Sequence, residues 1–440
     1  MNKKAAASVI VGSMLILPLT ASADDHEDGF IEGSHLNILA RNYYFNRNNK
    51  DGRNDAKDWS QALLLRYQSG FTEGTIGLGL NALAFTGVKL DASSGKTGTD
   101  NLRVHDDGHP SDTFSKAGAA LKLRWSNSTL VFGDQEPFNP VFATGHNRLV
   151  AQTAKGLSLD IREFENLNIE AGHFTGATGT TSTNTDGELW ALFAGVSTPS
   201  VDYIGATYTL SPGTVTKLYV SHFEDLWHQY YFNLGKKIEL KNNHSLNFDF
   251  NLYRTLDTGS ANAGSINNTT WGLSAAYAFG AHTITLAAQK VDGDIPFDYL
   301  GTGDVDRYGF NRPAQGGSIF LPNSVQYSDF NGPNERSWQL RYDISMEEFN
   351  LPGLSFMTRY IRGSGIDGTH VPANSPYANI WGENAKHHEL NVEARYVVQS
   401  GPMKDLSFRL RQTWHRANHA QPEGNMNEFR LITDYPIDVF

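Results

Sequence analysis

Four arginines near the C-terminus carry the first chemical signal. From Glu389 to Val398, Leu390, Val392, Ala394, Tyr396 and Val398 alternate with Asn391, Glu393 and Arg395. Leu406, Phe408 and Leu410 alternate with Ser407, Arg409 and Arg411, and Arg430 lies between Phe429 and Leu431. A period of two means strands with one apolar and one polar face. Guanidinium groups on the polar face of successive strands stack into one stripe. Such a stripe offers carboxylates bidentate, charge-assisted hydrogen bonds. Lining a narrow pore, it concentrates anions and passes them along several weak sites. The same test places Arg41, Arg66, Lys122, Arg124, Arg341 and Arg359 on polar faces. Each single one has a blander reading, in which it pairs with an inward Asp or Glu and braces the wall.

Other chemistries are weaker. The chain has no Cys, which removes thiol nucleophiles, Cys-ligated zinc, iron–sulfur clusters and disulfide scaffolds. No G-x-S-x-G elbow supports a barrel hydrolase. His387, His388, His415 and His419 cluster near the C-terminus, but they fall at strand ends, where solvated loop histidines are expected rather than metal ligands. Gly301-Thr302-Gly303 lacks the rest of a nucleotide fingerprint and reads as turn chemistry. Asp292, Asp294, Asp304 and Asp306 suit loop solvation better than Ca²⁺. The expectation is therefore no catalytic residue, no metal and no cofactor.

The elements that must hold the stripe run the length of the chain. Of its 440 residues 12% are aromatic, only 19% are charged, and 42 are Gly. That mixture fills strands and turns. Ser245 to Tyr253, His282 to Gln289 and Ser337 to Ile344 repeat the alternation, separated by Gly, Asn, Asp and Pro clusters. Comparable amphipathic helices are missing, and a mean hydropathy of −0.41 excludes a helical membrane protein. Persistence without linkers, aromatics near run ends and a terminal Phe440 favour lipid over a buried core as the destination of the apolar face. At ~23 residues per strand with its share of loop, residues 24–440 make about 18 antiparallel strands in one transmembrane β-barrel.

Residues 1–23 explain how such a chain is delivered. Lys3 and Lys4 precede a largely apolar run, and Ala21-Ser22-Ala23 is a cleavage site, so 1–23 reads as a secretory signal peptide. The net charge of −11 becomes two units more negative without those lysines, which makes nucleic acid an unfitting partner.

Several long segments resemble one family, the OprD (Occ) outer-membrane carboxylate channels of pseudomonads, nearest its OprD branch. They are GFIEGSHLNILARNYYFNRN at 29–48, PVFATGHNRLVAQTAKG at 140–156, IFLPNSVQYSDFNGPNERSWQLRYD at 319–343, YVVQSGPMKDLSFRLRQTWHRANH at 396–419 and NEFRLITDYPIDVF at 427–440. The resemblance implies a barrel of a Gram-negative outer membrane, a monomer or weakly associated trimer, with an inward-folded third extracellular loop. It implies a basic ladder of Arg47, Lys57, Arg148, Arg395, Arg409, Arg411 and Arg430. Facing it would stand Asp329 with Tyr327 and, as a weaker match, Tyr299. Lys57 replaces an expected Arg, which keeps the charge and loses the fork geometry; Arg395 is the reverse. The implied partners are small carboxylate solutes, membrane lipid with lipopolysaccharide, and the assembly machinery reading Phe440. The implied activity is passive uptake of amino acids, basic ones above all, and small peptides. The alternatives are aromatic carboxylates such as benzoate, a barrel hydrolase, or an adhesin-like barrel.

Overall fold

The computed structural model describes residues 29–305, 309, 311 and 314–440, so the expected signal peptide lies outside the described residues. Eighteen antiparallel strands form one sheet. It runs from His35–Asn49 to Met426–Asp438, and these two pair with each other, Arg41 opposite Asp434, so the sheet closes on itself. Closure leaves no unpaired strand edge, as a membrane demands. The wall strands span 8 residues (Ser128–Gln135) to 17 (Ile76–Ala92). The only helical segments among the described residues are three short 3₁₀ turns.

The alternation read in the sequence decides which side faces out. Ile204, Leu218 and Leu286 are more than half exposed on the outer surface. Their inward neighbours Tyr203, Tyr219, Thr285 and Ala287 are buried. So continuous an apolar belt fits hydrocarbon, not water. Outward rings mark both rims, Trp59, Tyr230 and Trp338 at one end of the strands, Trp125, Tyr208, Tyr277 and Tyr396 at the other. At the second rim Ser126-Asn127, Glu165-Asn166 and Pro212-Gly213 join strands tightly, with Ser126, Asn166 and Gly213 at positive φ. The long loops gather at the first rim.

Three of those loops narrow the lumen. The strand Ser128–Gln135 is short, and its pairing with Thr113–Trp125 ends at Gly133, at φ 132°, where a Cβ would run into the Ala119 carbonyl oxygen. Residues 136–152 then turn inward, burying Val141, Phe142, Leu149 and Val150. Residues 179–200, 293–305 and 314–335 also insert, which the sequence did not announce. They share a small sheet in which Leu300–Thr302 pairs with Leu189–Ala191. Gly301 and Thr302, read as turn chemistry, are therefore a buried strand, while Gly303 at φ 104° makes the turn.

Candidate functional site: the pore constriction

The third loop spans the barrel. The Tyr253 hydroxyl donates to the Pro140 carbonyl (3.0 Å). On a strand nearly opposite in the ring, Arg41 donates to the carbonyls of Arg148 (2.7 Å) and His146 (3.3 Å) while gripping Asp434 through two bonds. Asn139 Oδ1 accepts from the Val141 and Phe142 amides, and Gln152 Oε1 from Gly145, which knits the loop internally. Its start is pinned by Arg66, bidentate to Glu136 at 2.6 and 2.7 Å. Burial pushes the Glu136 carboxyl up, but the Arg66 charge and hydrogen bonds hold it below the ordinary carboxylate range. Burial pushes the His146 imidazole down to about 4, so it is neutral at physiological pH.

The last strands carry the basic wall. Arg409 stands directly opposite Arg395, and Arg411 opposite Arg430, so arginines from three neighbouring strands form adjacent rows. Four like charges at this spacing need acids, and the wall supplies them. Glu393 takes two bonds from half-buried Arg409 (2.7 and 2.8 Å) and an ion pair with Arg411 at 3.1 Å. Fully buried Glu428 takes Arg430 at 2.6 Å and Arg47 at 2.7 Å. Arg395 is exposed and has no ion-pair partner among the described residues. Phe45 is the common floor, with Arg47, Arg430 and Arg148 guanidiniums 5.2, 5.0 and 6.0 Å from its centroid. Arg148 also donates to the Thr99 carbonyl (2.9 Å), and burial with the Arg430 charge lowers its pKa. Much of the wall is thus braced as well as basic.

Lys57 is placed differently from the sequence reading. It is the second residue of the strand Ala56–Gln68, not a loop residue, and shares its phase with outward Trp59 and Leu63. Ala56, Asp58 and Ser60 take the inward phase. Its amine lies 3.6 Å from Asp91 and over the Tyr44 ring, away from the arginine rows. A lone base at a strand start has too few neighbours for its phase to be read.

Opposing groups come from residues 293–305 and 314–335. Asp329 accepts from the Tyr299 hydroxyl (2.6 Å) and the Ser324 hydroxyl (2.6 Å). Burial raises its carboxyl to about 6, against the pull of those two bonds. Burial likewise raises the Tyr299 phenol, helped by the Asp329 charge. Tyr327 stacks on Arg47, 5.0 Å from centroid to guanidinium carbon, and the neighbouring Gln326 carbonyl accepts from Arg430 (3.2 Å). The loop that carries the acid therefore docks on the basic wall itself.

The sequence missed Glu393 and Glu428, although both stand two residues from an expected arginine on the same phase. It also misjudged two histidines. His388 and His419 are not buried, but His387 and His415 are, and their rings meet. Both take the inward phase of their strands, and what covers them comes from other loops. Asp304 serves as an acceptor for Asn184 (2.6 Å) and the Glu188 amide (3.0 Å), and Asp306 lies outside the described residues.

This architecture has known counterparts. Residues 28–439 match the model of the outer membrane porin, OprD family. The chain is 52% identical to Porin D of Pseudomonas aeruginosa over 439 residues, 99% of this chain and 98% of that one. The crystal structure of P. aeruginosa OprD superposes with a TM-score of 0.82 at 49% identity, covering 95% of this chain and 99% of that one. P. aeruginosa OpdK, solved with vanillate, gives 0.81 at 31% identity, covering 93% of this chain and 100% of that one. These relatives are channels and not enzymes, which sets the hydrolase reading aside. A closed barrel with a belt for lipid, a loop across its lumen and arginines in register on one wall is the build of an outer-membrane channel, and the chain belongs to the OprD family of outer membrane porins.

Proposed function

We propose that this porin takes up small solutes bearing a carboxylate, amino acids and small peptides, with basic amino acids favoured. The observation that carries the reading is the register of the wall, Arg409 opposite Arg395 and Arg411 opposite Arg430, with Arg395 exposed and without an acid of its own among the described residues. A charge-assisted hydrogen bond is worth roughly 1.5–3 kcal/mol when desolvated. Lumen water and salt reduce that, and transit needs sites this weak. Arg47, Arg148 and Arg430 extend the basic wall toward the loops, and Lys57 lies outside it. Asp329, steadied by Tyr299 and next to the Tyr327 segment, supplies the opposite charge, so a zwitterion can align across the constriction.

The test is uptake of arginine, glutamate and benzoate into liposomes carrying wild type or Arg409→Ala/Arg411→Ala, with reversal potentials from the same preparations. Carboxylate uptake should fall several-fold and ion selectivity should move toward cations. An unaltered ranking in a folded double mutant would end the proposal. The aromatic-carboxylate reading draws on the relative solved with vanillate. It would win if benzoate outran arginine in wild type. We further infer that residues 1–23 are removed on export, giving a mature N-terminus at Asp24, that 24–440 is a single barrel domain, that Phe440 is read during assembly, and that the channel works as a monomer or a weakly associated trimer.

A further inference from the structure

Beside the Tyr327 to Phe330 segment lies a further group of largely buried titratable side chains. At the long-loop end of two neighbouring strands, Ala385–Val397 and Ser407–Ala417, His387 and His415 face each other, and Glu423 of loop 418–425 closes over them. His387 Nδ1 is 2.9 Å from His415 Nε2 and 3.2 Å from Glu423 Oε2, and His415 Nε2 is 3.4 Å from the same oxygen. Donors bound tetrahedrally to one ion at ~2.0–2.2 Å stand about 3.3 Å apart. The three separations bracket that edge.

The outer hydrogen bonds decide where the protons are. His415 Nδ1 is 2.7 Å from the Gly424 carbonyl oxygen, which can only accept, so Nδ1 carries the proton and Nε2 a lone pair. His387 Nε2 is 2.7 Å from the Glu335 carboxylate, which in the neutral ring leaves Nδ1 as the lone-pair nitrogen. Two lone pairs 2.9 Å apart repel unless a positive centre, a shared proton or a metal ion, sits between them. Glu335 and Glu423 place two negative charges beside the pair. A divalent ion balances both, a proton one. Imidazoles oriented from behind by a carboxylate and a carbonyl are the usual setting of a metal-bound histidine.

Gln421 is placed to complete the set. Only 4% exposed, its amide nitrogen lies 3.3 Å from His387 Nδ1 and 3.4 Å from Glu423 Oε2, while its Oε1 has no partner. A half-turn of the amide exchanges the two atoms and points the oxygen at the shared centre.

We propose that His387, His415 and Glu423, completed by Gln421, bind one divalent transition-metal ion of the zinc kind. Imidazole nitrogens select zinc, copper or nickel over calcium and magnesium. The ion would also fasten the acidic side of the pore. Phe330 stacks on His387 with centroids 4.2 Å apart, Tyr327 lies 5.0 Å from His415, and the Tyr327 hydroxyl donates to the Glu423 carbonyl (2.9 Å). Asp329 sits between those two rings in sequence. Occupancy therefore tightens the loop that presents it.

The experiment uses the full-length, tag-free chain in detergent, stripped with chelator and titrated calorimetrically with Zn²⁺, followed by metal analysis after gel filtration. One Zn²⁺ per chain should bind saturably, raise the thermal unfolding temperature and be released by EDTA. His415→Gln and Glu423→Gln should each weaken binding at least tenfold, whereas His419→Ala, on an exposed neighbour, should leave it unchanged. Glu423→Gln changes a loop residue isosterically and keeps the test valid if His415→Gln misfolds. Absence of saturable binding by folded wild type would overturn the proposal in favour of a proton-shared histidine pair. Binding undiminished in Glu423→Gln would overturn it by placing the ion elsewhere.

Discussion

The basic wall and the inserted loops meet at the same constriction but are held there by different forces. On the wall, each arginine's direction follows from strand phase and its neighbours from ladder register, Arg411 between Glu393 and Arg430. The loops have no such rule. Residues 136–152 lie across the lumen because Tyr253 and Arg41 take their carbonyls from opposite sides. Residues 323–330 are positioned by Gln289, which donates to the Asp329 and Phe330 carbonyls (3.1 and 2.8 Å) and accepts from the Asn323 amide (3.1 Å). The arginine rows therefore rest on a rigid cylinder, and the opposing Asp329 on an inserted segment that reaches the cylinder through side-chain bonds such as Arg430 to the Gln326 carbonyl and the Ser328 amide to Glu389. Rigid elements hold a site more closely than loops do, so the acidic half is the adjustable half.

The sharpest way to break the contrast is to remove a loop and keep the wall. Deleting residues 140–150 should raise single-channel conductance several-fold and erase substrate ranking, with the β circular dichroism intact. An unchanged conductance would locate the narrowest point elsewhere. Next comes the wall's own bracing. Arg430→Ala leaves buried Glu428 with Arg47 as its remaining ion-pair partner and should cost roughly 3 kcal/mol in urea unfolding from lipid vesicles. Leu286→Arg, on the lipid face, should cost about 2–4 kcal/mol in the same assay by burying a charge in hydrocarbon. If both were silent, the division into a braced inner and an apolar outer face would be wrong.

Acidity separates the two halves further. The Asp329 carboxyl, lifted to about 6 by burial, is largely neutral at low pH and ionised at neutral pH. Preference for arginine over benzoate should therefore rise a few-fold from about pH 5 to about pH 7.5. Because the folded value lies above the unfolded one, this group's contribution to stability is full below about pH 3.9 and lost as pH rises through its folded value. Asp329→Asn should flatten both trends; an unflattened uptake profile would assign the pH response to another group. The smallest effect belongs to Lys57→Ala. Facing outward beside Asp91, it should leave carboxylate ranking unaltered, and a several-fold loss of uptake would return it to the solute path.

By itself, the sequence determined the barrel, the strand number and the inward phase of Arg395, Arg409, Arg411 and Arg430. Period-two alternation is local, and every strand states its own phase within a few residues. Resemblance to a family brought Arg47, Arg148, Asp329, Tyr327 and Tyr299 into view, where phase alone was silent. Only the tertiary structure decided the rest. Glu393 and Glu428 became counter-charges once neighbouring strands were in register, and Lys57 turned outward at a strand start too short to show its phase. His387 and His415 lie at the ends of adjacent strands, and their burial comes from Phe330 and Glu423, which reach them from separate loops. Direction along a strand is a property of neighbouring residues; burial at a rim depends on which distant loops fold over it, and no short-range pattern encodes that.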